Sequence, residues 1–140
     1  MSEIKVAVQR LLYLAMTGPL TTNDIEKLAM ALDELAWLSH RIELNFDETE
    51  YPEPPRFDSS ETYAYASKWI PDHKGGGGNS DLAFLAVMDF SEIIDDFRVI
   101  EWRFDNTSES DALFHYQLGY QSHWGHHMRS LQKFIHDWYW

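Results

Sequence analysis

Ile4, Val8, Leu11, Leu12 and Ala15 recur at the spacing of one helix face, and Gly18-Pro19 then interrupts the ladder because proline has no N–H to continue it. The pattern predicts a first helix over about Ser2–Thr17. Ile25, Leu28, Ala29, Leu32, Leu35, Ala36 and Ser39 repeat the pattern to about Arg41, with Asn23 and Glu26 placed as a capping box. From Glu43 to Glu53 the chain carries five acids and no base, and Tyr51-Pro52-Glu53-Pro54-Pro55 holds the backbone extended, so an acidic, proline-rich linker is expected over 43–58. A short helix, Glu61–Ile70, is capped by Ser59 or Ser60 and ended by Pro71. Gly75 to Gly78 read as a flexible loop over 73–80 and not as a phosphate cradle, because no Gly-Lys-Ser/Thr follows and no strand pattern precedes. A third long helix starts at Asn79, Ser80 or Asp81 and continues to about Phe104; a fourth starts at Ser108 with Asp111 and runs almost to Trp140. Nothing alternates like a strand. The expected fold is all-α, one domain over residues 1–140: an antiparallel helical bundle of four main helices plus one short helix.

The last two predicted helices carry the informative polar positions. On the third, Ala86, Phe90, Ile93, Phe97, Ile100 and Phe104 form one apolar stripe, Leu85, Met88 and Val99 a second, and Ser91, Asp95 and Arg98 a wet face. Asp89, Glu92 and Asp96 fall in the wedge between the two apolar strips, where an unpaired carboxylate is costly. On the fourth, Leu113, Tyr116, Tyr120, Trp124, Met128, Leu131, Phe134, Ile135 and Trp138 make one broad face. His127 lies within it and His123 on its edge, while His115, His126 and His136 point outward. Satisfying the buried polar groups then sets His123 and His127 against Asp89, Glu92 and Asp96 in a buried cluster.

Composition narrows the function classes. With 11 Lys+Arg against 23 Asp+Glu the formal charge is −12, which argues against nucleic acid and anionic lipid as partners. No cysteine is present, which removes disulfides, thiolate metal sites and cysteine nucleophiles. The longest apolar run, Leu82 to Met88, is seven residues where a membrane span needs about 20. Leu11 to Met16 is too short for a signal-peptide core, so a soluble, cytoplasmic protein is expected. Trp37, Trp69, Trp102, Trp124, Trp138 and Trp140 default to core and helix-end packing, although the Trp138-Tyr139-Trp140 end spans too much of its helix to face inward entirely and could dock a protein partner or a second copy.

Three readings of the cluster follow. The first is a His–carboxylate hydrogen-bond network that fixes helix register in a non-catalytic binding or regulatory module. The alternative is a divalent-metal site for Zn, Mn or Fe, in a metal-binding protein or metal-dependent enzyme, with His123, His127, Asp89, Glu92 and Asp96 as ligands. Acid–base catalysis without metal is the third. No serine or threonine has an obvious local base, so no catalytic nucleophile is assigned and the balance leans away from an enzyme. The −12 charge with exposed aromatics also suits an acidic inhibitor-like module for a basic protein partner.

The stretch Met88-Asp89-Phe90-Ser91-Glu92-Ile93-Ile94-Asp95-Asp96-Phe97, followed by His123-Trp124-Gly125-His126-His127, Leu131 and His136, resembles an uncharacterised bacterial family, domain of unknown function 5063. Its pattern is an Asp-Asp-Leu-x-Asp-Ile-Tyr-x-Asp-Leu helix, a tryptophan-rich segment and His-Trp-Gly-x-His. Tyr51-Pro52-Glu53-Pro54-Pro55 extends the likeness more thinly upstream. The resemblance places the family's acids on Asp89, Glu92 and Asp96 and its histidines on His123 and His127. Met88 stands where the family has its first Asp and Ile94 where it has Tyr, and the four-glycine loop is a further departure. What the resemblance implies is an all-helical soluble protein with no assigned activity.

Overall fold

The computed structural model describes residues 2–43, 45–70 and 80–140, with Ser80 in its backbone only. Among these residues there are six helices and no strand: α1 Glu3–Thr17, α2 Asp24–Ser39, α3 Ser59–Ser67, α4 Ser80–Asn106, α5 Glu109–Ser122 and α6 Trp124–Tyr139. The chain is all-α, as the periodicity predicts. No helix among the described residues is long and apolar enough to cross a membrane. The glycine loop expected over 73–80 and the Pro71 stop lie outside the described residues, except that Ser80 already belongs to α4.

Helix starts follow local chemistry that the sequence shows in part. Ser2 caps α1 by accepting from the Ile4 N–H at 3.2 Å. Asn23 makes no side-chain cap, and the expected capping box does not form. Asp24 takes over that role, because its carboxylate reaches back to the Leu20 N–H at 2.6 Å and the Thr21 N–H at 3.3 Å, and these bonds hold its carboxyl below the usual range. The short helix begins earlier than expected because Asp58 and not Ser59 or Ser60 is the cap, accepting from the Ser60 N–H at 2.9 Å, and it ends at Ser67, short of Ile70.

α4, about 40 Å long at 1.5 Å per residue, is the central element and packs against α1, α3, α5 and α6. Phe90, Ile93, Ile94 and Phe97 of α4 are wholly buried in one core with Leu11, Leu28, Leu32, Leu35, Met128 and Leu131. Charged pairs give the sense of neighbouring helices. Arg10 meets Glu34 at 2.6 Å and Arg41 meets Glu3 at 3.4 Å, so α1 and α2 run antiparallel. The wet face expected at Ser91, Asp95 and Arg98 is covered. α3 lies on it, with Thr62 donating to Asp95 at 2.7 Å and Glu61 at 3.8 Å from Arg98, whose guanidinium sits 4.1 Å from the Phe57 ring centroid. The second apolar strip turns the other way: Leu85 is 56 % and Met88 37 % exposed. The described residues of the linker over 43–58 form no regular element but are tied down, since Asp47 accepts from Tyr51 Oη at 2.7 Å and from Ser108 Oγ, and Phe46 packs on Phe114 with centroids 5.0 Å apart. These bonds, the one from Ser108 first, hold the Asp47 carboxyl far below its ordinary range.

The fourth long helix is two helices. Its backbone breaks at His123, with φ −144° and ψ −81°, which ends α5 and starts α6. The break follows from burying an indole: Trp124 turns back over Gly119, donates its Nε1–H to the Tyr116 carbonyl at 3.0 Å and packs against Phe97, Tyr116 and Tyr120. Gly125 makes the junction close enough, because a Cβ there would lie 2.0 Å from the Tyr120 carbonyl oxygen. Gly125→Ala is therefore expected to destabilise the fold by about 1–3 kcal/mol or more through overpacking against backbone, while Ser130→Ala on the exposed face of α6 stays within about 0.5 kcal/mol. Urea unfolding of both variants checks this; equal midpoints would contradict the junction.

Candidate functional site

α4 and α6 run antiparallel, so two residues one turn apart on α6 meet residues two turns apart on α4. His123 Nδ1 lies 2.5 Å from Asp96 Oδ2 and His127 Nδ1 lies 2.8 Å from Asp89 Oδ1. The two imidazoles touch edge to face, centroids 4.9 Å apart. Glu92 stands between the two aspartates on α4, its Oε2 3.4 Å from His123 Nε2. All five residues selected from the sequence therefore come together.

Their burial differs from expectation. The sequence places Asp89, Glu92, Asp96, His123 and His127 in a dry interior, whereas the side chain of His123 is 44 % exposed, that of Glu92 40 % and even that of Asp89 19 %. The cluster is a seam open to solvent along one edge of the α4–α6 contact. The reason is the exposed Leu85 and Met88, which flank the acids without covering them, and the break at His123, which lifts the first histidine to the rim. Partial burial still raises Asp89 and Asp96 above the usual carboxylate range, with the histidine hydrogen bonds pulling the other way.

Proton bookkeeping gives the cluster its chemical character. An ionised carboxylate only accepts, so Asp96 and Asp89 require a proton on Nδ1 of each histidine. In a neutral imidazole that leaves the Nε2 lone pair unused. For His123 this lone pair faces a carboxylate oxygen of Glu92 at 3.4 Å, two electron-rich atoms with no hydrogen between them. A second proton or a cation relieves the repulsion. Glu92, His123 and His127 each offer a ligand atom within 4.8 Å of the others, close enough to converge on one ion. Asp89 and Asp96 complete the arrangement as the carboxylates that orient the imidazoles, the common support for metal-bound histidine.

Other histidines sort less simply than a continuous helix suggests. His126 and His136 are exposed. His115, expected outward, is half-buried between α4 and α5 with Nε2 3.5 Å from Asp111 Oδ1, and burial together with the nearby Arg103 pushes its imidazole down. Arg103 in turn donates to Asp111 Oδ2 at 3.1 Å. The sequence pattern does not reveal this group, because His115 projects outward on the wheel of one continuous final helix, whereas α5 ends at Ser122 and packs on α4 as a separate element.

No family model, no curated protein and no solved structure matches this chain, and the functional reading rests on its own residues. His127→Ala removes the partner of the half-buried Asp89 and is expected to cost about 1 kcal/mol, at the low end for a stranded polar group because the seam is open to water. His126→Ala should fall within about 0.5 kcal/mol of the parent. Equal thermal midpoints for the two would contradict the pairing.

Proposed function

We propose that this chain binds one divalent transition-metal ion through Nε2 of His123, Nε2 of His127 and the carboxylate of Glu92, with Asp96 and Asp89 fixing the two imidazoles from behind. The observation that carries the reading is the His123 Nε2 to Glu92 Oε2 contact at 3.4 Å, with the opposite ring nitrogen already engaged by Asp96 at 2.5 Å. Charge argues the same way. Three carboxylates converge on this seam with no Lys or Arg paired to them among the contacts that define it, and a divalent ion offsets that negative charge. Imidazole with carboxylate suits Zn, Fe or Mn better than Mg or Ca, which prefer oxygen alone. The ligand set is narrower than the five residues considered from sequence, because Asp89 and Asp96 are occupied as orienters. Three protein ligands on a solvent-facing rim leave coordination positions for water or substrate, the pattern of catalytic and not of structural zinc sites.

A second reading has its own support. The same two His–carboxylate pairs bridge α4 and α6, so they also serve as a register clasp in a non-catalytic binding module. Metal binding separates the two. Zinc titrated into the purified protein by calorimetry is expected to show one site per chain, with Glu92→Gln and His123→Ala losing it. Asp96→Asn, which keeps every ligand but weakens the orienting bond, is expected to reduce affinity about 10- to 100-fold. No stoichiometric binding, or identical isotherms for parent and variants, would leave the clasp alone.

A further inference from the structure

The stripe of α4 that carries the seam extends beyond it. Leu82, Leu85, Asp89, Glu92 and Asp96 follow one another at steps of three and four, the spacing of a single helix seam. The three acids meet His123 and His127, whereas the two leucines stand in solvent: Leu82 and Leu85 are each 56 % exposed, and Met88 beside them 37 %. α6 runs antiparallel to α4, so its C-terminal half borders this end, where the half-buried rings of Phe134 and Trp138 stack with centroids 5.3 Å apart. Single exposed apolar residues are ordinary on a protein surface. Three contiguous ones on one helix face mark a docking surface.

Charge selects the partner. Between Ser80 and Phe97 α4 carries five acids and no base. Asp81 is exposed at the start of the strip, and Asp89 and Glu92 continue it, paired with histidine and with no Lys or Arg among the described residues. A second copy brings the same acids and another net charge of −12, which repels; a basic segment is attracted along the whole stripe.

We propose that the Leu82–Glu92 face of α4 docks a basic amphipathic helix of a protein partner, its apolar turns on Leu82, Leu85 and Met88 and its Lys or Arg side chains one heptad further along, at Asp89 and Glu92. The apolar contact supplies the anchor and the acids set the register, the two parts of helix-on-surface recognition. Docking does not depend on the metal reading and belongs to the metal-free chain, because a bound ion would already offset the charge that the partner's cations meet.

Fluorescence anisotropy of a labelled synthetic peptide of about 21 residues, three heptads, titrated with the full chain in the presence of chelator tests this. One half of the peptide carries leucine at the seam positions and the other half lysine; a control of identical composition spreads both residue types around every side of the helix. The patterned peptide is expected to bind at least about tenfold more tightly than the control and to weaken with added salt. Leu85→Ser combined with Met88→Ser alters only partly exposed positions, so the thermal midpoint should hold while affinity falls at least about tenfold. Met30→Ser, at an exposed methionine of α2, should leave binding unchanged, and Glu92→Gln should lower affinity and flatten the salt dependence. Equal affinity for the two peptides, or the same loss in Met30→Ser as in the Leu85 and Met88 double variant, would overturn the proposal. Sedimentation showing a dimer of the parent chain that the double variant abolishes would overturn it too, because the strip would then be covered by a second copy.

Discussion

Two hydrogen bonds from imidazole Nδ1 to carboxylates of α4 constrain everything else at the seam. With Asp96 and Asp89 as ionised acceptors at 2.5 and 2.8 Å, each histidine carries its proton on Nδ1 and presents Nε2 away from its orienting aspartate. An isolated His–Asp pair on a surface is a weak stabiliser. Two such pairs, one turn apart and with Glu92 between them, instead create a small electron-rich rim that calls for a positive charge. The proposed metal and its open coordination positions descend from that tautomer assignment.

The scaffold delivers this geometry through an irregularity. A continuous final helix would carry Trp124 on its apolar face beside His123 and His127; the break instead turns the indole back over Gly119, where it lies wholly buried against Phe97 and Tyr116. The break at His123, made possible by Gly119 and Gly125, inserts the indole and raises His123 to the rim while keeping its ring in contact with His127. Core packing and site exposure thus have one cause.

Much of this was legible in the chain. Apolar periodicity gave the all-helical class, and the positions of Asp89, Glu92 and Asp96 on one face of α4 selected their histidine partners, because those positions depend only on helix geometry. What depends on neighbours was not legible. Ser91, Asp95 and Arg98 read as solvated until α3 is laid over them, and Leu85 and Met88 read as core until nothing covers them. The Trp124 junction escaped for a similar reason: Gly125 inside an apolar pattern is compatible with a continuous helix, and only the three-dimensional demand of the indole breaks it. The seam's openness to solvent depends on these same neighbours and so is not encoded in the helix pattern, whereas its membership is.

Zinc-edge anomalous diffraction from crystals of the zinc-loaded protein tests the central claim most directly. The account predicts a single strong peak about 2.0–2.2 Å from Nε2 of His123, Nε2 of His127 and a carboxylate oxygen of Glu92, with both Nδ1 bonds to Asp96 and Asp89 preserved. A peak on the Nδ1 side with the aspartates displaced, or zinc scattered over the acidic surface with none at this rim, would contradict it.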